Sequence, residues 1–190
     1  MVEEFPLNEF HNIMPICNIP SVMERGILSH NEMVKLQIPH QSVANEEVQR
    51  RRTHVHPYAN LYFDARNPMM YALKENGVKI CVLAVDVKIM SREGVLLTDM
   101  NAAKSMVRYY SVYQWPLLDF DKILARYWND DDENIKMLKK AYRCAEVLVP
   151  ACIPYDYVTH AYVCNEEDKK LLLATGFDKL VKIQPDLFFS

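Results

Sequence analysis

Glycine is scarce in this chain. Four glycines among 190 residues supply neither a Gly-x-Gly-x-x-Gly dinucleotide loop nor a phosphate loop ending in Gly-Lys-Ser/Thr, and neither pattern occurs. That excludes a Rossmann cofactor site and a P-loop NTPase, though not every use of a nucleotide. Long apolar runs are missing too: none reaches the roughly 18 residues of a membrane span, so no membrane partner is expected. The opening Met1-Val2-Glu3-Glu4-Phe5-Pro6 has no basic segment and no apolar segment, so it does not read as a secretory signal. The five cysteines, at 17, 81, 144, 152 and 164, are odd in number and form no Cys-x-x-Cys pair. They read as reduced thiols of a cytoplasmic protein. Cys17, Cys81 and Cys144 lie in apolar surroundings and read as buried, inert thiols rather than nucleophiles. Metal-ligand patterns are equally thin. His54-x-His56 is the one close histidine pair and has no second pair at a zinc spacing, so no metal is expected. A net charge of −3 argues against a generally basic nucleic-acid surface, so any such contact must be local.

What is present is a hydrophobic half and a charged quarter, enough for one domain over 1–190 with a sizeable core. Several segments carry clear signals. Residues 8–16, Tyr58–Phe63, Lys79–Val85, Val95–Thr98, Glu146–Val149, Val158–Cys164 and Leu180–Ile183 read as strands. Asn67 as cap with Pro68 at the first position predicts a helix through Leu73. The acid run Asp130–Glu133 predicts a helix over Asn134–Arg143, and Asn165 predicts one closing at Gly176. Ser21 reads as the cap of a helix ending near Gly26, and residues 29–45 as a long loop. Asn45–Arg52 reads as one or two helical turns, and Asp99–Ala103 as a short helix. The tyrosine- and tryptophan-rich stretch 106–128 reads chiefly as core. Short strands mixed with short helices, without repeats, make an α+β fold.

Glu146 opens an apolar, strand-forming run, where a charged group is either solvated at an edge or retained for a purpose. With metal, Rossmann and P-loop chemistry set aside, single polar residues at element edges remain: His11, Arg51, Asn101 and Glu146. Such a set suits a reaction leaving a glycosidic carbon. A carboxylate there stabilises an oxocarbenium-like state, and an arginine can hold a pyrophosphate by paired hydrogen bonds.

Five stretches resemble one family, the DarT toxins, which are DNA ADP-ribosyltransferases. They are Phe10-His11 with Asn18–Leu28; Val48–Arg52; Tyr62–Tyr71 with its Phe63-Asp64-Ala65-Arg66-Asn67-Pro68 core; Thr98–Ala103; and Ala145–Val149. They occur in the family's order. The resemblance implies an ADP-ribosyltransferase-like fold, with split small β-sheets around an NAD+ cleft and helices outside. It implies transfer of ADP-ribose from NAD+, the substrate, to a thymidine or guanosine base of single-stranded DNA, with nicotinamide leaving. Carried over, Glu146 and Arg51 are catalytic. His11, Asn12, Ile13, Ser21 and Arg51 meet NAD+. Arg52, Asn101, Tyr109 and Tyr113 are candidate DNA contacts, with Arg52 also the alternative to Arg51 in the arginine run. The family commonly has Thr or Ser two residues after the histidine, where this chain has Ile13, so backbone contacts are expected there. An antitoxin with an ADP-ribose-removing domain is the implied partner. Two other activities fit the same scaffold: NAD+ glycohydrolysis, and ADP-ribosyl transfer to RNA or protein. A non-catalytic nucleic-acid module built on the arginine run and aromatics is a third reading.

Overall fold

The computed structural model describes residues 4–38, 52–73 and 77–190. Ten strands form among the described residues. They are β1 (Glu9–Pro15), β2 (Ile27–Leu28), β3 (Tyr58–Tyr62), β4 (Ile80–Asp86), β5 (Leu96–Thr98), β6 (Tyr109–Ser111), β7 (Glu146–Pro150), β8 (Cys152–Ile153), β9 (Val158–Val163) and β10 (Leu180–Ile183). The helices among the described residues are α1 (Ile19–Arg25), α2 (His30–Lys35), α3 (Pro68–Leu73), α4 (Phe120–Ile123), α5 (Glu133–Arg143) and α6 (Glu166–Ala174). Eight strands make one sheet in the order β10-β9-β4-β1-β3-β7-β5-β6, and β2 pairs with β8 in a second. Only β9 and β10 run parallel, joined by the crossover helix α6 that a parallel pair requires.

The large sheet is nearly cut in two. β1 pairs with β4 along its whole length, from Glu9↔Asp86 to Pro15↔Ile80. On its other side a single position, His11↔Tyr62, joins β1 to β3. Two four-stranded halves therefore meet at one residue pair. This is the split expected of an ADP-ribosyltransferase fold, reduced to a seam.

Alternation along the strands gives each face its own packing. Phe10, Leu61, Leu83, Val85, Val147, Val149, Ala161 and Val163 face one side and build the larger core with Ile19 and Val22 of α1 and Leu172 of α6. Ile13, Tyr62, Val82 and Ile80 face the other side and pack against Met70 and Leu73 of α3. β4 is apolar nearly throughout because both its faces are covered.

Local chemistry sets the helix ends. Asn67 Oδ1 accepts from the Met69 and Met70 amides. Asp132 Oδ1 accepts from Asn134 and Ile135, and Asn165 Oδ1 from Asp168. Three expectations need correction. Asn18, not Ser21, precedes α1, and Pro20 sits in its first turn, which pre-sets the helical φ two residues earlier. Within 29–45, Ser29 caps α2 through the Glu32 amide. No residue of α2 is buried, so no apolar period announced it. Asp99–Ala103 forms turns rather than a helix, because its amides serve distant acceptors: Asn101 donates to Ala141 O and Ala102 to Glu146. The Asn45–Arg52 turns lie outside the described residues except for Arg52. Cys81 and Cys144 are buried as expected, and burial pushes both thiols up to about 12. Cys17 is exposed, because it sits on the 3-10 turn that carries the chain off β1.

The aromatic stretch divides. Trp115 and Phe120 join Phe5 in edge-to-face contacts at 5.5 and 5.8 Å, whereas Tyr113 is 90% exposed and Tyr127 72%. No described helix is long and apolar enough to cross a membrane.

Candidate active site

Cross-strand register puts the polar residues of the second face in one line. His160 pairs with Ala84, Ala84 with His11, His11 with Tyr62, and Tyr62 with Glu146. The β5–β7 register continues the line to Thr98, and Thr98 pairs with Tyr109. Opposed residues point to the same face of a sheet. One row perpendicular to the strands thus carries His160, His11, Tyr62, Glu146, Thr98 and Tyr109.

Glu146 is 0% exposed. Its approach is fixed by Arg143 at the end of α5. That guanidinium is buried, pairs with Asp64 Oδ2 at 2.6 Å and donates to the Ile123 and Arg66 carbonyls. The Glu146 amide donates to Thr98 Oγ1 at 2.8 Å, and that hydroxyl donates to Met100 O at 2.8 Å. Three donors hold the carboxylate. Arg52 Nη1 donates to Oε1 at 2.7 Å and Nη2 to Oε2 at 2.5 Å, while the Ala102 amide donates to Oε1 at 3.0 Å. A buried carboxylate stays charged only with such partners. The effect is mutual. Burial alone would lower the Arg52 pKa, but the Glu146 carboxylate more than offsets it and raises it. An arginine so placed can orient and neutralise but cannot take a proton. Beside this pair the Tyr62 phenol is pushed up by burial and by the Glu146 charge, and Tyr109 likewise.

A second polar cluster lies across the seam. The Ala65 amide donates to His11 Nδ1 at 3.0 Å. Nε2 therefore carries the ring hydrogen and donates to Glu9 Oε1 at 3.0 Å. Tyr162 donates to the same oxygen at 2.8 Å, and His160 Nε2 stands 3.5 Å from Oε2. Burial would raise the Glu9 pKa, but the hydrogen bonds from His11 and Tyr162 and the neighbouring histidines bring it down to about 2. Burial pushes the His160 pKa down, and Lys182 Nζ lies 3.0 Å from its Nε2. Both His11 nitrogens are thus committed inside the protein. His11 links β1 to the chain leaving β3 and leaves its side chain no free polar atom for a ligand.

The other expected site residues fall as follows. Asn12 reaches across the seam, donating from Nδ2 to Asn60 O at 3.0 Å, while its buried Oδ1 has no partner among the described residues. Ile13 is core. Ser21 lies on α1, whose apolar side belongs to the opposite core, away from the row. Arg51 lies outside the described residues. Arg52, considered as a DNA contact, is the partner of Glu146. Asn101 shapes the turn that aims the Ala102 amide: its Oδ1 accepts from Ala103 at 2.8 Å. Tyr109 ends the row and is 40% exposed, whereas Tyr113 stands off on the following 3-10 turn. His54 and His56 do not converge. His54 Nε2 lies 3.1 Å from Ala102 O and 2.8 Å from Tyr109 Oη, and the His56 ring packs on His30 at 4.1 Å. Sequence reasoning missed Glu9, Tyr62, Thr98 and the Ala102 amide. The strand alternation that places Tyr62 and Glu146 at strand ends was the available signal, but which ends meet depends on pairing.

Solved structures identify the class: this is an ADP-ribosyltransferase fold. Thermosipho africanus DarTG in complex with ADP-ribose is similar at a TM-score of 0.82 and 31% identity, over 96% of this chain and 51% of that one. Thermus sp. 2.9 DarT in complex with ADP-ribosylated ssDNA is similar at 0.79 and 22%, over 99% and 100% of the two chains. Residues 11–189 match the family DarT, described as ssDNA thymidine ADP-ribosyltransferase, and the chain belongs to that family. Among curated relatives, the DNA ADP-ribosyl transferase-DNA ADP-ribosyl glycohydrolase fusion protein of Thermosipho africanus (strain H17ap60334) is 31% identical over 201 residues, 97% of this chain and 50% of that protein. The chain therefore spans about half the length of that relative. The DNA ADP-ribosyl transferase of Thermus sp. (strain 2.9) is 24% identical over 177 residues, covering 82% of this chain and 81% of that protein.

Proposed function

We propose that residues 1–190 act as one ADP-ribosyltransferase domain that transfers ADP-ribose from NAD+ to thymidine bases of single-stranded DNA. The observation that carries this reading is the fully buried Glu146 carboxylate, gripped by Arg52 and the Ala102 amide in the middle of the row. In the reaction the bond between the nicotinamide nitrogen and ribose C1′ breaks, and its electron pair neutralises the ring cation as nicotinamide leaves. A new bond forms from C1′ to a ring nitrogen of the base, whose proton is released. Positive charge builds on the ribose between these events, and a preorganised carboxylate stabilises it. Glu146 is the catalytic residue. Arg52, rather than Arg51, orients it and turns its guanidinium toward the phosphates of NAD+ when Glu146 engages the ribose. The backbone at His11–Ile13, beside the seam, meets the nicotinamide end. Single-stranded DNA suits the site because an unstacked base avoids the unstacking penalty.

Membership of the same family supports a toxin role, a cytoplasmic setting and a cognate antitoxin that removes ADP-ribose. The Thermosipho relative joins a transferase to a glycohydrolase in one chain. Labelled NAD+ incubated with oligonucleotides that each lack one base tests the reading. Base-linked ADP-ribose is expected wherever thymine is present, and its absence from every oligonucleotide would end the proposal. Glu146→Ala is expected to lower transfer about 10³-fold or more.

A further inference from the structure

Two groups beside Glu146 have no role in the reaction as drawn: the His54 imidazole and the Tyr109 hydroxyl. Tyr109 occupies the last position of the row, opposite Thr98, and remains 40% exposed. His54 Nε2 stands 3.1 Å from the Ala102 carbonyl oxygen and 2.8 Å from Tyr109 Oη. A carbonyl oxygen only accepts, so Nε2 carries the hydrogen and donates to both oxygens. The phenolic oxygen of Tyr109 thus receives a hydrogen bond. Its own hydrogen has no acceptor among the described residues.

The same peptide unit ties this pair to the reacting group. The Ala102 amide holds Glu146 Oε1 at 3.0 Å, and the Ala102 carbonyl takes the His54 donor. The Tyr109 hydroxyl is therefore fixed relative to the Glu146 carboxylate through one residue. It stands on the side of the row away from His11, on a side chain with access to solvent.

We propose that Tyr109 is a specificity-determining residue for the acceptor base: its hydroxyl donates to an exocyclic carbonyl oxygen, and His54 is the positioning residue that holds the phenol. This rests on the transfer reaction proposed above. Thymine carries a carbonyl where cytosine carries an amino group, and guanine where adenine does. A committed donor matches the keto bases and opposes the amino hydrogens of the others. Losing a match of this kind weakens recognition by about 5- to 100-fold.

The test compares the intact protein, Tyr109→Phe, His54→Ala and His54→Gln on single-stranded oligonucleotides carrying one thymine, 2-thiothymine or 4-thiothymine. Sulfur accepts hydrogen bonds poorly, and the change in ring acidity it brings is common to all four proteins and cancels in the ratio. Tyr109→Phe is expected to lower kcat/KM for the thymine oligonucleotide by about 10-fold, with KM for NAD+ nearly unchanged. It is also expected to erase the protein's discrimination against 4-thiothymine, altered at the carbonyl that cytosine lacks, and to leave that against 2-thiothymine in place. His54→Ala should behave like Tyr109→Phe. His54→Gln, whose amide can replace the Nε2 donor, should restore the discrimination. If Tyr109→Phe transfers to all three bases at unchanged rates, or is slowed equally on all three, the proposal is overturned. If the unaltered protein modifies no thymine at all, the transfer reading fails instead, and the two failures are told apart by that control.

Discussion

Two carboxylates share one face of the sheet, one on either side of the seam. Glu9 is held by neutral donors, the His11 ring and the Tyr162 hydroxyl, all on strands of one half. Glu146 is held by a cation and a backbone amide, and the cation comes from 94 residues earlier in the chain. Their exposure explains the difference: the Glu9 side chain is 26% exposed and the Glu146 side chain 0%. Partial solvent contact lets Glu9 keep its charge with neutral partners, whereas full burial requires a countercharge. The mode of holding also differs in what it permits. Strand-borne donors cannot leave without breaking the sheet. A guanidinium on a long side chain can exchange one anion for another, as the transfer proposed above asks of the Glu146 partner.

Substitutions at the two clusters should separate these modes. Arg52→Ala leaves a buried, unpaired carboxylate and is expected to destabilise the protein by about 3–5 kcal/mol in urea unfolding. Adding Glu146→Gln should recover most of that loss while transfer stays absent. A loss well under 1 kcal/mol for Arg52→Ala would mean that the pair does not hold Glu146 as described. Glu9→Gln should have a smaller effect, about 1–2 kcal/mol near neutral pH after allowance for solvent screening. Because the folded pKa of Glu9, about 2, lies below its ordinary value of 4.5, the charged form stabilises the fold fully above 4.5, and this is lost as pH falls toward 2. The gap between Glu9→Gln and the unaltered protein should therefore close over that window, and a gap constant from pH 7 to pH 3 would contradict it. Asn165→Ala removes only the cap of α6 and touches neither carboxylate. It should cost about 1 kcal/mol with transfer unchanged, which sets the scale for a purely local loss.

Much of the fold was legible in local chemistry. Caps at Asn67, Asp132 and Asn165 announced their helices, and the apolar run around Leu83 announced a doubly covered strand. The motif order grouped Glu146 with the arginine run, whose Arg52 does meet it. What stayed hidden was set by partners distant in sequence. The turn at Asp99–Ala103 looked helical because its residues permit a helix, yet its amides answer to Ala141 and Glu146. Nothing local distinguishes three consecutive arginines, and of these Arg52, the one among the described residues, pairs with Glu146. His11 looked like a ligand contact from its place at an element edge and in the family's first motif, whereas the partners of its ring, Glu9 and the Ala65 amide, depend on pairing distant in sequence. Cys17 looked buried because its neighbours are apolar, but the turn after β1 exposes it.

The strand order carries a consequence for synthesis. β7 lies between β3 and β5, so Tyr58–Tyr62 and Leu96–Thr98 have no direct ladder to each other and both wait for Glu146–Pro150. That strand is made after both of its partners, and with it the Glu146 carboxylate. The growing chain can assemble neither the half-sheet nor its chemistry beforehand.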